Sequence, residues 1–198
     1  FQYFAPRTLA DAAALLAEWG VEASVVAGGT DLWPNMKRRQ QTPRRVIGLR
    51  GIDALHGVHG SPAVGFTVGA MTSLTDVERD QALAAAWPAL GRAARLISTP
   101  PLRNMGTLGG NLCLDTRCND WNQSFEWRKA IDCCLKRDGG VCWVAPGSER
   151  CWAVASSDTA PVLSAIGAEV TLRSVAGERR IAVRDLFRDD GIEYLNKR

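Results

Sequence analysis

A chain of 198 residues, 46% of them hydrophobic, can bury one substantial core or two small subdomains around a shared cleft, and it reads as globular. A formal net charge of +3 is too small to mark a nucleic-acid binder, and no stretch has the length of a transmembrane helix or the pattern of a leader. No nucleic-acid or membrane partner is therefore expected, and the expected setting is cytoplasmic. Both ends read as trimmed, because the chain starts at Phe1 and stops at Arg198 soon after a strand-like segment.

Thr8 with Asp11 is a variant capping box, and Leu9, Ala12, Ala13, Leu16 and Trp19 recur at helical spacing until Gly20. This predicts an amphipathic helix with a glycine stop. Residues 24–27 are short, β-branched and apolar, and they run into Gly28, Gly29, Thr30 and Asp31, with a short helix and a strand at 45–49 to follow. The order helix, strand, turn, helix, strand predicts a small α/β unit over residues 1–57. Between Asp31 and Asp53, Lys37, Arg38, Arg39, Arg44, Arg45 and Arg50 occur with no acid, which reads first as a solvated face and second as a surface for an acidic partner. His56 and His59, the only histidines, lie on a turn-rich connector and are expected at the surface despite their H-x₂-H spacing.

Residues 64–69 predict a strand, and 74–86 and 88–97 predict two helices, the second with Pro88 in its first turn where the missing N–H costs little. Pro100 and Pro101 end that helix, since the residue before a proline is pushed out of the α region. A second glycine-rich turn follows at Gly106, Thr107, Leu108, Gly109, Gly110 and Asn111. Residues 112–155 then break the pattern, holding all six cysteines (Cys113, Cys118, Cys133, Cys134, Cys142 and Cys151) and Trp121, Trp127, Trp143 and Trp152. They read as an insertion into a larger α+β unit over residues 58–198, which resumes with a helix at 159–166 and strands at 169–174 and 179–183.

A glycine turn between strand and helix lets backbone N–H groups point at an anion without side-chain cover. Neither turn matches the dinucleotide fingerprint or the P-loop, but two of them facing each other could hold the ends of a diphosphate-containing cofactor. Six cysteines confined to one segment are better placed to wrap a soft metal centre than to staple a domain. Three disulfides, in any of fifteen pairings, would require an oxidising compartment. No C-x₂-C occurs, so an iron–sulfur cluster, a zinc site and purely structural cysteines all stand open on spacing alone.

The run from Val25 to Leu32, then Met36 and Lys37, then Arg103 to Asn111, then Ser157, Asp158 and the segment at 167–170 resemble the FAD-binding domain of the molybdenum hydroxylases. That family includes xanthine dehydrogenase and the carbon monoxide dehydrogenase flavoprotein. The resemblance implies a two-subdomain, PCMH-type α+β fold. It implies that Val25, Val26, Ala27, Gly28, Gly29, Thr30, Asp31 and Leu32, with Thr107, Leu108, Gly109, Gly110 and Asn111, hold the FAD pyrophosphate and adjoining parts. Asp158 would bind a cofactor hydroxyl, and Ile97 would pack on the cofactor. It further implies a C-terminal domain of which most is missing here.

The long gap from Asn111 to Asp158 resembles one branch of that family, the flavin subunit of 4-hydroxybenzoyl-CoA reductase, which carries an extra [4Fe-4S] cluster. By that resemblance Cys118, Cys134, Cys142 and Cys151 are the cluster ligands. The residues themselves argue only that one of the adjacent pair Cys133 and Cys134 reaches a cluster, and that Cys113, continuing the glycine turn, is a small buried side chain. Trp121, Phe125, Trp127, Trp143 and Trp152 are expected as a dry shell around it, or as a small core of their own.

The implied function is an FAD and [4Fe-4S] electron-transfer subunit, an oxidoreductase component with no catalytic residue of its own. Its partners would be a molybdenum-cofactor subunit and a [2Fe-2S] subunit, with ferredoxin as electron donor. The basic run at 37–50, or Arg128, Lys129, Lys136 and Arg137, would receive that ferredoxin. The alternatives are a conventional FAD subunit of an aldehyde or heterocycle hydroxylase with a structural insertion, and a zinc-stabilised interaction domain.

Overall fold

The computed structural model describes residues 1–196. β1 (Gln2–Phe4), α1 (Leu9–Trp19), β2 (Ala23–Val26), α2 (Leu32–Lys37) and β3 (Arg45–Gly48) build a three-stranded parallel sheet in the order β1-β3-β2. Successive residues of the central strand serve opposite faces. Ile47 packs with Ala12 and Ile52 on the α1 side, while Val46 joins Val26 and Leu32 on the α2 side.

The cap on α1 is as the sequence predicts. Thr8 Oγ1 accepts the Asp11 N–H at 3.1 Å and donates to the Asp11 carboxylate at 2.7 Å, and Gly20 ends the helix at φ 51°. Strand β1 escapes a sequence reading because three residues are too few to display alternation.

β4 (Val58–Ser61) and β5 (Gly65–Val68) form an antiparallel hairpin, which puts His59 in a strand and exposed. The helix expected at 74–86 is two, α3 (Leu74–Arg79) and α4 (Gln81–Ala86). Asp80 divides them: it leaves helical geometry at ψ 114°, and its carboxylate accepts the Leu83 N–H at 2.8 Å, so it caps the second helix at the expense of the first. The prolines that stop α5 (Pro88–Leu96) open α6 (Pro100–Met105), where a missing N–H is again harmless.

The second glycine turn is itself a helix, α7 (Leu108–Leu112), and the insertion contains α8 (Phe125–Ala130). After the insertion come α9 (Ala160–Ala165) and the antiparallel pair β6 (Glu169–Ser174) and β7 (Gly177–Ala182). The main core lies here, where Val77, Leu90, Ala94, Leu108, Leu163 and Val183 converge from α3, α5, α7, α9 and the turn after β7. Among the described residues no helix is long and apolar enough to cross a membrane.

Candidate cofactor site

The turn after β2 and the start of α7 meet face to face. A Cβ on Gly28 would lie 1.8 Å from the Met105 carbonyl oxygen, and one on Gly109 would lie 2.7 Å from the Ala70 Cβ. Both glycines are therefore required by close backbone approach. Gly28→Ala is expected to cost about 3 kcal/mol, measured as a fall in the urea midpoint at unchanged slope, because no flexible side chain can absorb the clash.

The two turns differ in what their amides do. Among the described residues, the N–H groups of Gly28, Gly29, Thr30 and Asp31 donate to no protein acceptor, and Gly29 adopts φ 77°. Consecutive unspent amides around a left-handed residue form an anion-binding concavity. In the second turn the consecutive donors from Leu108 to Gly110 are spent. Leu108 N–H goes to the Thr72 carbonyl at 3.0 Å, Gly109 N–H to Ala70 at 2.9 Å, and Gly110 N–H to Thr107 Oγ1 at 3.1 Å. Its glycines serve packing, and only the first turn offers a free cradle of the kind the sequence suggested for both.

Asn111 ties that second turn to the far side of the insertion. Its Oδ1 accepts from Ser157 Oγ at 2.9 Å, from the Thr159 N–H at 3.1 Å and from Thr159 Oγ1 at 2.8 Å, while its Nδ2 donates to Asp158 at 3.2 Å. Asn111 is buried and Asp158 exposed, so the buried amide positions a carboxylate that faces outward. Val26 and Leu32 are core residues, Val25 is exposed, and Ile97 caps α5 with its carbonyl accepting from Arg103 Nη1 at 3.0 Å.

Within the insertion, Cys118, Cys134, Cys142 and Cys151 line one cavity together with Asp120, Trp121, Leu135, Lys136, Trp143 and Ala153, whereas Cys113 and Cys133 do not. Cys134, Cys142 and Cys151 are buried, and Cys113 is exposed. Burial pushes the Cys151 thiol up, while the Ala153 N–H donated to its sulfur at 3.5 Å and the nearby Lys136 charge favour the thiolate. Gly191 backs the same sulfur: a Cβ there would lie 2.5 Å from Cys151 Sγ. Among the described residues no three His, Cys, Asp or Glu side chains converge on a single-ion site, and His56 and His59 each bond a backbone carbonyl.

The insertion is built on charge more than on apolar packing. Lys136 Nζ pairs with Asp115 at 2.7 Å and reaches the Gly191 carbonyl at 2.9 Å, and the two side chains are only 7% and 9% exposed. Trp121 packs between Lys136 and Arg128, 5.3 Å and 4.8 Å from its ring, and donates its Nε1 to Asp115 at 3.2 Å. Arg128 is buried and donates to the Arg38 carbonyl at 2.8 Å, and Arg137 donates to the Gln40 carbonyl and to Thr42 Oγ1, each at 2.8 Å.

Arg128 and Lys136 are thus internal braces, and Arg137, its side chain 33% exposed, ties its guanidinium to Gln40 and Thr42. Of that group Lys129 is the most exposed. The tryptophan shell is corrected too: Trp121 is buried, but Trp127, Trp143 and Trp152 are 41%, 44% and 46% exposed.

Arg117 and Val154 exchange backbone hydrogen bonds of 2.8 and 2.9 Å that close the base of the insertion, and the Arg117 guanidinium pairs with Asp31 of the first turn. Sequence reasoning gave no role to Arg117, Asp115 and Gly191, and it put Lys136 on a docking face. Each acts on a residue distant in the chain.

All 198 residues match the family described as the FAD binding domain in molybdopterin dehydrogenase. The chain is 38% identical over 122 residues to the carbon monoxide dehydrogenase medium chain of Hydrogenophaga pseudoflava, covering 61% of this chain and 42% of that protein. It is 31% identical over 197 residues to the aldehyde oxidoreductase FAD-binding subunit PaoB of Escherichia coli (strain K12), covering 96% of this chain and 61% of that one. Reconstituted CO dehydrogenase from Oligotropha carboxidovorans superposes with a TM-score of 0.69 at 30% identity, over 95% of this chain and 52% of that chain. The chain therefore spans roughly half the length of the proteins it matches. Its mixed helix and strand architecture is the PCMH-type FAD-binding fold, and the chain belongs to the family of FAD-binding domains of the molybdopterin dehydrogenases.

Proposed function

We propose that this chain is the FAD-binding part of an electron-transfer subunit in a molybdenum hydroxylase complex, with a [4Fe-4S] cluster held in the insertion. The observation that carries the cluster is the cavity: the four cysteines that line it are Cys118, Cys134, Cys142 and Cys151, next to the buried Lys136 ammonium. A cubane takes four thiolates, and the nearby Lys136 charge favours the thiolate of Cys151.

For FAD, the four unspent amides from Gly28 to Asp31 suit its diphosphate, and the Asp158 carboxylate is placed to accept from a cofactor hydroxyl. On the sequence reading, residues 1–57 and 58–198 would be the two subdomains between which it lies. FAD when bound supplies electron transfer in ones or twos, and a [4Fe-4S] cluster supplies it one electron at a time. This chain's own residues bind and orient: Asn111 fixes the Asp158 loop, the paired glycine turns bring the two units together, and Lys136, paired with Asp115, braces the cysteine cavity.

The partners are a molybdenum-cofactor subunit and a [2Fe-2S] subunit. The relatives, a carbon monoxide dehydrogenase and an aldehyde oxidoreductase, favour a conventional hydroxylase acting on a small carbonyl or heterocyclic substrate. Reductive dehydroxylation of 4-hydroxybenzoyl-CoA, as in aromatic degradation, with electrons entering from ferredoxin, is the second reading and rests on the cysteine insertion.

The test is anaerobic purification with flavin, iron and acid-labile sulfide measured per chain, and spectra before and after dithionite. About four irons and four sulfides with one FAD support the proposal. Flavin without iron reduces the insertion to structure and leaves the conventional subunit, and zinc without flavin overturns both.

A further inference from the structure

We propose that Arg117, although part of the insertion, is a residue of the FAD diphosphate site. The inference rests on the FAD reading above. Its first support is position. Arg117 pairs with Asp31, whose own amide belongs to the unspent run from Gly28 to Asp31, so the guanidinium is held at the edge of that concavity. Asp31 is itself fixed from the other side, where its second carboxylate oxygen accepts from Asn35 Nδ2 at 3.1 Å.

The second support is unused donor capacity. A guanidinium has five N–H groups, and among the described residues Arg117 spends only its Nη2 side on Asp31. Its side chain remains 30% exposed, so the remaining donors are open to a ligand. The third is electrostatic. Without Arg117 the Asp31 carboxylate would stand uncompensated beside an anion site and oppose a diphosphate; with it, the pair presents donors and no net negative charge.

The backbone explains why a residue of the insertion can do this. Arg117 is clamped to Val154 by two hydrogen bonds, so its side chain leaves from a closed, rigid base rather than a free loop. Because Arg117 directly precedes Cys118, the same short segment would serve the flavin turn and the thiol cavity.

The test is FAD binding to the flavin-stripped protein, by fluorescence quenching over a series of salt concentrations, for the parent, Arg117→Met and Arg117→Lys. ADP and adenosine are run as competitors, and iron is counted in each sample. Arg117→Met is expected to weaken FAD about tenfold to hundredfold, the loss of one charge-assisted contact, and to flatten the salt dependence. ADP should lose affinity with it while adenosine does not, and Arg117→Lys should recover the salt dependence in part.

FAD and ADP affinities within twofold of the parent in Arg117→Met would overturn the proposal. So would an equal loss for ADP and adenosine with no recovery by lysine, which would make Arg117 a brace only. A parent protein that binds no FAD would instead remove the reading beneath it, and the proposal with it.

Discussion

Serine at any one of Cys118, Cys134, Cys142 or Cys151 is expected to strip most of the bound iron and sulfide, about four of each per chain in the parent, while Cys113→Ser and Cys133→Ser retain them. The division follows from the cavity, which the first four line and the last two do not. Cys133 differs in its own backbone: at φ 59° it is left-handed, and its carbonyl accepts from Trp143 Nε1 at 2.5 Å. Colorimetric iron and sulfide with the electron paramagnetic resonance of the reduced protein decide the matter. Flavin content is the control, because the glycine turns are built from other residues. Iron loss in Cys133→Ser equal to that in Cys134→Ser would refute the assignment, and uniform loss of flavin in all six would mean that the insertion had simply unfolded.

Lys136→Met should destabilise the protein by about 3–5 kcal/mol, since it leaves the Asp115 carboxylate buried without its partner. The cost should persist at high salt, because a pair this well covered is poorly screened. Chemical denaturation at low and high ionic strength measures it, and Asp115→Asn added to Lys136→Met should recover part of the loss. A Lys136→Met protein as stable as the parent, but reduced more slowly by an acidic protein donor in a salt-dependent way, would return Lys136 to the docking role that its charge alone suggested. The same reasoning removes Arg128 from a docking face, as its buried guanidinium holds the backbone of Arg38.

Neighbouring residues wrote much of this molecule legibly. The Thr8 and Asp11 cap, the glycine stop at Gly20, the short apolar strand at β3 and the two glycine turns all depend on atoms within a few residues of one another, which is the range over which backbone geometry and periodicity act. Confinement of every cysteine to one segment was equally plain. Short elements were lost where another local preference competed: Asp80 capped instead of continuing a helix, and Thr107 started one where an open turn was expected.

What a linear reading could not supply was juxtaposition. Which four sulfurs share a cavity, the Arg117 contact to Asp31 across 86 positions and the Asn111 contact to Asp158 across 47 depend on how separate pieces of chain pack. Charge misled for the same reason. Lys136 and Arg137 look alike and solvated in a sequence, yet the fold makes one the buried partner of Asp115 and ties the other to the N-terminal unit. Residue type sets what a side chain is able to do, but its partner and its access to water, which set what that is worth, exist only once the chain has folded.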